Sequence, residues 1–479
     1  MVAPKTHFDF IVIGSGFGSL FFLKKLLSLQ PNVRVAVVEW GRRNNHNWQL
    51  ENKVNSNINI ADTHSQPQKQ KPWNYTIGLG GGTNCWWGQA MRLLPNDFCM
   101  KSEYGVMDDW PFSYEDIEPY YLEAEHIMLI SGSDSIGKVS PRSGSYPLPP
   151  HRLNSVDEIM MAANPDLHFP IATARAPLPT GQRGVCCATA RCNLCPMDAK
   201  FTAFNGMNDV LIHESVTYFL EAQVKTILHD KGHATGVSFS NSDGISTLTG
   251  DVVVLGANAI HSPAILLRSG LNLPMTGVGL REQLGAEFEI LLDGVDCFGG
   301  GTVTTSLNYS LYDGVHRKNE GAALLFFENR LKYGLRPEFG RWRQYLPLVV
   351  NVEDALSPAN RVSLDSKGDA FVNHPAVSDY AIAGMKRVER ELPGVLGPLP
   401  VERIIPRGIR PTESHVQCSL RSGSDPATSV VDAASIHHEV RNLVIVGSST
   451  FTTCPPANPS LTVAAMALRA ADLWVNRHL

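Results

Sequence analysis

A short apolar run, Phe8 to Ile13, passes directly into Gly14-Ser15-Gly16-Phe17-Gly18-Ser19, and this junction limits the possible folds more than any other stretch of the chain. The run has the content of a buried strand, Gly14 to Ser19 forms a tight turn, and Leu20 to Leu27 continues as a helix. Val33 to Val38 supplies a second buried strand and ends on Glu39. Gly14 permits the turn, Gly16 lets the backbone approach a pyrophosphate, and Ser19 takes the third small position, with Phe17 and Gly18 between them. The helix start presents free N–H groups and its positive end to phosphates. Glu39, about 20 residues further on, is placed to accept from ribose hydroxyls. The unit predicts an α/β, Rossmann-like domain that holds a dinucleotide, without choosing between FAD and NAD.

At 479 residues the chain exceeds one ordinary core and suggests two or three domains, interleaved in sequence. Apolar residues make up 43% and charged residues 18%, a composition suited to a packed enzyme. A net charge of −5 without a long basic run argues against nucleic acid as a partner. The start lacks the pattern of a signal peptide, and no apolar run approaches the roughly 20 residues needed to span a bilayer. A cytoplasmic location is expected, unless a partner subunit carries the chain to the periplasm or a membrane.

Further along, Asn44 to Lys71 is polar with no clear period and reads as a flexible loop. Ser113 to Ile130 reads as a helix with Ser113 as N-cap and Glu115 in its first turn. Arg142 to Arg191 is rich in turn residues. Val216 to Leu228 and Ala234 to Phe239 suggest strands returning to the first sheet, followed by the buried run Val252 to Leu255. Glu287 to Arg410 has the alternation of a second, sheet-based domain. Leu443 to Val446 reads as a buried strand, and Ser460 to Asn476 as an amphipathic helix, with Asn458 as cap and Pro459 at the first helical position. A helix starting there would aim its positive end at a flavin pyrimidine, which favours FAD over NAD.

Nine cysteines are present, and Cys186, Cys187, Cys192 and Cys195 fall in one irregular loop followed by Pro196. Thiolates this close suit a polynuclear iron-sulfur centre; zinc and unligated thiols are the alternatives. Adjacent cysteines are awkward for a single small ion.

Four motifs in order, the Gly14 to Glu39 unit, GLGGGTNCWWGQAMRLLPNDF (78–98), GANAIHSPAILLRSG (256–270) and SHVQCSLRSGSDPATSVVD (414–432) with ANPSLT (457–462), resemble the glucose-methanol-choline (GMC) oxidoreductases. Within the family the chain is most similar to catalytic subunits of bacterial FAD-dependent glucose dehydrogenases. The resemblance implies an FAD-binding domain from 1–98, 198–286 and 415–479. Interleaved with it would be an α+β substrate domain on an antiparallel sheet, from 99–197 and 287–414, with a cysteine-rich loop at 186–196. It places Gly81, Gly82, Thr83, Asn84, Cys85, Val224, Ala257, Gly447, Ser448 and Pro459 with the Gly14 unit at the cofactor. His415 matches the family's catalytic histidine and Asn458 its partner. His415 would take the hydroxyl proton of an alcohol or sugar while hydride leaves to flavin N5, a task for an imidazole of near-neutral pKa.

The same resemblance implies a 3Fe-4S cluster on Cys187, Cys192 and Cys195, with Cys186 as spare, although the last spacing is one residue shorter here. Electrons would then leave singly to a protein acceptor such as a cytochrome, or to a quinone, and a small chaperone-like subunit is a possible companion. Two positions depart from the family: Cys418 stands where a glycine is usual, and Cys85 where related enzymes often carry histidine. Cys85 is expected to be a buried, unreactive thiol rather than a thioether to the flavin. The competing readings are an oxidase that reduces O2 directly, and a nonredox lyase or isomerase that retains FAD.

Overall fold

The opening unit forms as its pattern predicts: the strand His7–Ile13, the helix Phe17–Leu29 and the buried strand Val35–Val38. The structure, a computed structural model, describes residues 7–67, 71–330, 334–412 and 415–478. A seven-stranded sheet runs in the order Val216–Phe219, Val35–Val38, His7–Ile13, Gly244–Leu255, His233–Asn241, Gln223–Asp230, and Leu443–Ile445 also pairs with Gly244–Leu255. Its central pairings are parallel, and the stretches 10–13, 252–255, Val35–Val38 and Leu443–Ile445 are apolar because both faces are covered there. Phe10, Val12, Val37 and Val254 pack under the helices Phe17–Leu29 and Ser460–His478, while Ile11, Ile13, Val253 and Leu255 face the opposite core.

Two expectations about this sheet need refinement. The run Val216 to Leu228 is two strands, since Glu221 adopts a left-handed conformation (φ 54°) that turns the chain from a parallel edge into an antiparallel hairpin. The run at 252–255 is the end of a longer strand beginning at Gly244, whose first half pairs with that hairpin.

The second sheet has six strands in the order Val401–Pro411, Leu284–Leu292, Tyr345–Val352, Ala323–Glu328, Thr304–Asn308, His168–Pro170, every pairing antiparallel. Leu325, Phe327, Leu348 and Val350 turn to one face, where Met385, Val388 and Leu392 of the helix Asp379–Val395 cover them. Phe326, Glu328, Val349 and Asn351 alternate to the other face.

Asn44 to Lys71, expected as a flexible loop, holds the helix His46–Asn52, capped by Asn45, and the short 3₁₀ turn Ile60–Asp62, capped by Asn59. It lacks an apolar period because its asparagines satisfy backbone and line a cavity rather than a core: Asn55 Nδ2 donates to Gln49 Oε1 and to Asn193 O, each at 2.8 Å. The turn-rich stretch after Arg142 likewise contains a helix, Ser155–Ala163, opened by an Asn154/Asp157 capping box. The helix Tyr114–Met128 begins at Ser113 as predicted, with a capping box to Asp116. It lies against the C-terminal helix through Tyr120–Asp472 (2.6 Å) and Tyr121–Thr462 (2.8 Å), so residues assigned to the substrate half pack on the FAD half. Among the described residues no helix is long and apolar enough to cross a membrane.

The loop after the second glycine motif is tied to the second sheet by a fully buried cation. Arg317 Nη2 donates to Asp97 Oδ1 at 2.7 Å and to Glu353 Oε1 at 2.8 Å, and the Tyr312 hydroxyl donates to Asp97 Oδ2 at 2.8 Å. Burial pushes the Asp97 carboxyl up to about 6, against the pull of the guanidinium. Arg317→Met leaves two buried carboxyl groups without their partner, and we expect a loss of about 3–5 kcal/mol in denaturant unfolding.

Candidate active site and cofactor cradle

One cavity of about 1070 Å³ lies between the two sheets, and it takes in both the glycine turn and the two predicted reactive residues. Gly14, Gly16, Phe17, Gly18, Glu39, Gly81, Gly82, Cys85, Val224, Ala257, Gly447, Ser448 and Pro459 all line it, with His415 and Asn458. Gly81, at φ +47°, sits so close that a Cβ there would stand 2.7 Å from the Gly16 Cα. A Cβ on Gly16 itself would meet only Gly82 N, at 4.0 Å. The space beside Gly16 is therefore kept open by the absence of a side chain, with the backbone N of Gly82 at its edge and the start of the helix Phe17–Leu29 beside it, which fits a pyrophosphate.

Glu39 is buried, and its carboxylate accepts from Ser15 N (3.0 Å), Ser15 Oγ (2.7 Å) and Gly41 N (2.9 Å). Burial raises this carboxyl and the three bonds oppose the rise. It braces the glycine turn while facing the cavity. Three predicted cofactor residues do not reach the cavity wall. Ser19 packs helix to strand: a Cβ on Gly256 would stand 2.2 Å from its Oγ. Thr83 donates to Gly80 O (2.7 Å) and accepts from Ala203 N (3.0 Å), and Asn84 donates to Leu79 O (3.0 Å), so both hold the second glycine loop in shape.

At the reactive end, His415 N donates to Glu282 Oε1, and His415 Nδ1 lies opposite Gln283 Oε1, both at 2.8 Å. Glu282 also forms an ion pair with Lys71. Asn458 does not cap the last helix, which begins at Ser460. Its side chain instead reaches Gln89: Nδ2 donates to Gln89 Oε1 at 2.7 Å, and Gln89 Nε2 donates to Thr304 Oγ1 at 2.9 Å. Asn458 Oδ1 is buried with no hydrogen-bond partner among the described residues, an acceptor that a ligand donor would satisfy. Overhead, Phe326, Glu328, Val349 and Asn351 come from the second sheet, and Arg330 pairs with Glu328 and lies over Trp87 at 5.5 Å. The sequence reading missed Gln89, Gln283, Glu328, Arg330 and Asn351. Gln89 lies within the 78–98 motif; Glu328 and Asn351 belong to strands whose facing the sequence does not give, and Gln283 and Arg330 lie just outside the strands Leu284–Leu292 and Ala323–Glu328. Cys418 is buried at φ +71°, a left-handed conformation that explains the family's glycine there, and its Sγ donates to Thr453 O at 3.3 Å.

The cysteine loop wraps a buried lysine. Lys200 Nζ donates to Asn84 O (2.7 Å) and Trp86 O (2.8 Å), and burial brings it down to about 8 despite the nearby Cys85, Cys192 and Cys195. The four predicted ligands are spread among different partners: Cys186 to Thr302, Cys187 exposed beside Thr189, Cys192 to Arg175, and Cys195 accepting from Ala199 N. Among the described residues no three His, Cys, Asp or Glu side chains are arranged to hold a metal ion, so the expected ligand set is not assembled.

Two family models of GMC oxidoreductases match, one over residues 68–286 and one over 400–467, together more than half of the chain. The fructose dehydrogenase large subunit of Gluconobacter japonicus is 25% identical, over 98% of both chains. The 2-methyl-1,2-propanediol dehydrogenase of Mycolicibacterium austroafricanum is also 25% identical, over 98% of this chain and 96% of its own. A solved structure of an Aspergillus oryzae formate oxidase variant shares the fold, with a TM-score of 0.70 at 16% identity over 99% of each chain.

The cradle makes a paired prediction. Gly16→Ala makes only an ordinary contact with Gly82 N at 4.0 Å but enters the space beside the turn, so flavin content should fall while the apoprotein melts within a few degrees of wild type. Gly18→Ala brings a Cβ to 2.9 Å from Gly447 N and should lower the melting temperature itself. Flavin absorbance and thermal melts of both variants separate the two effects.

Proposed function

Because the chain belongs to the GMC oxidoreductases, FAD-dependent enzymes acting on CH–OH groups, we propose that it is a dehydrogenase. It oxidises an alcohol group of a sugar, polyol or related compound, with His415 as base and Asn458 as its partner. The observation that carries this reading is that His415, Asn458 and the Gly14–Gly18 cradle line a single cavity. FAD, when bound, supplies the acceptor for the carbon-bound hydrogen as hydride. The protein's part is to take the hydroxyl proton and hold the alcohol still. His415 Nδ1 lies against an acceptor, which leaves Nε2 as the nitrogen that receives a proton. Asn458 Oδ1 offers a fixed acceptor for a substrate hydroxyl.

The substrate class follows from the lining. Gln89, Glu328, Arg330 and Asn351 offer donors and acceptors in numbers that suit a molecule with several hydroxyls, while Trp87, Phe326 and Val349 give flat apolar surface for its C–H face. The sugar and diol named for the two relatives are of this chemistry. A relative described as a large subunit supports a companion subunit; a cytochrome or quinone as the eventual acceptor is part of the proposal. The spread of Cys186, Cys187, Cys192 and Cys195 does not fit a 3Fe-4S cluster, and no electron route is drawn through it. About three iron and four acid-labile sulfide per chain in purified protein would reinstate the cluster.

His415→Ala should retain FAD and lower the anaerobic flavin-reduction rate by about 10²–10⁴-fold. Reduction at the wild-type rate would overturn the base assignment. In a screen of sugars, polyols and simple alcohols, we expect polyhydroxylated compounds to bleach the flavin. Turnover should be faster with an artificial one-electron acceptor than with O2, read as dye reduction against peroxide; the reverse ratio marks an oxidase.

A further inference from the structure

We propose that Gln283 is a positioning residue that sets the tautomer of His415 and ties it to the Asn458 loop; the inference rests on His415 being the base. An amide side chain carries two N–H donors and one acceptor. Gln283 Nε2 donates to Pro455 O at 2.8 Å and to Ala457 O at 3.1 Å. Backbone carbonyls only accept, so the amide cannot be turned over, and its oxygen is committed to His415 Nδ1 at 2.8 Å. An acceptor facing Nδ1 requires the proton of the neutral imidazole to sit there, which places the lone pair on Nε2.

The surroundings make this side chain a hub. Gln283 is 2% exposed, and its own carbonyl accepts from Thr412 Oγ1 at 3.2 Å. Arg281 and Gln417 exchange backbone hydrogen bonds at 3.0 and 2.9 Å, and Glu282 accepts from His415 N. The run 281–283 thus holds the chain on both sides of His415, and through Pro455 and Ala457 the same glutamine fixes the turn that delivers Asn458.

Among the described residues, Glu282 accepts from the His415 backbone N–H and pairs with Lys71, while Glu328, paired with Arg330, lines the same cavity. Gln283 adds no charge. It orients the ring without stabilising the imidazolium as a carboxylate would, so the proton taken from the alcohol is not trapped.

The test uses anaerobic stopped-flow reduction of the holoenzyme, with flavin content and melting temperature as controls. Gln283→Met removes donors and acceptor at similar volume. It should lower the limiting reduction rate about 10- to 100-fold with little change in substrate saturation, and should add no further loss on a His415→Ala background. Gln283→Glu keeps an acceptor. It should recover about tenfold of that loss and move the basic-form limb of the pH–rate profile upward by about one unit. The proposal is overturned by a flavin-replete Met variant within twofold of wild type, by an equal loss on the His415→Ala background, or by a Glu variant no better than Met. Loss of flavin from both variants also overturns it, placing Gln283 in the fold rather than the chemistry. Normal reduction by His415→Ala alone instead removes the base assignment, so the two readings fail in different arms.

Discussion

The site depends on the long strand Gly244–Leu255 pairing in parallel with both ends of the chain. Ile13 and Ile445 are each in register with Leu255, one on either side. Parallel strands in register finish at one rim, so Gly14, Gly256 and Gly447, which follow them closely, stand together at the carboxyl edge of the sheet, the edge where doubly wound folds bind nucleotides. The C-terminal strand brings with it the turn at 455–459 and the last helix. Without that pairing Asn458 would have no fixed relation to the glycine cradle. The second sheet then closes the cavity, tied to the turn Pro95–Phe98 at the end of the second glycine motif by Arg317 between Asp97 and Glu353.

The parts legible in the sequence are those governed by backbone requirements and apolar periods. The Gly14 turn, the parallel strands, the Ser113 cap and the last helix each follow from a local rule. The Asn44 to Lys71 segment was illegible because its order comes from asparagine caps and long-range amide bonds, such as Asn55 to Asn193, which leave no period. Asn458 was misread as a cap for a related reason. An asparagine near a helix start satisfies the capping rule on paper, and only the nearness of Gln89, 369 residues away, draws the side chain elsewhere. Ser19, Thr83 and Asn84 show the converse: a motif identifies the loop that holds a cofactor but does not separate residues that touch it from those that shape it.

The cysteine loop is also better understood through its partners than its spacing. Lys200, buried against the carbonyls of Asn84 and Trp86, fastens the loop to the second glycine motif, and Asn193 forms part of the cavity wall. Whatever the thiols do chemically, this segment has a structural task beside the cofactor cradle. Its closeness in sequence to a cluster motif and its role as a wall are separate properties of the same residues.

The alternation of the second sheet has a consequence for how such an enzyme changes over generations. On Ala323–Glu328 and Tyr345–Val352, neighbouring residues belong to opposite worlds: Phe327 and Leu348 are locked in a core, while Phe326, Glu328, Val349 and Asn351 face the cavity. A mutation at Glu328 or Asn351 alters what is recognised and leaves the core contacts of Phe327 and Val350 untouched, whereas Phe326 and Val349 also pack in the first core. Preference for new substrates can therefore drift by single substitutions on a scaffold whose stability is inherited almost unchanged.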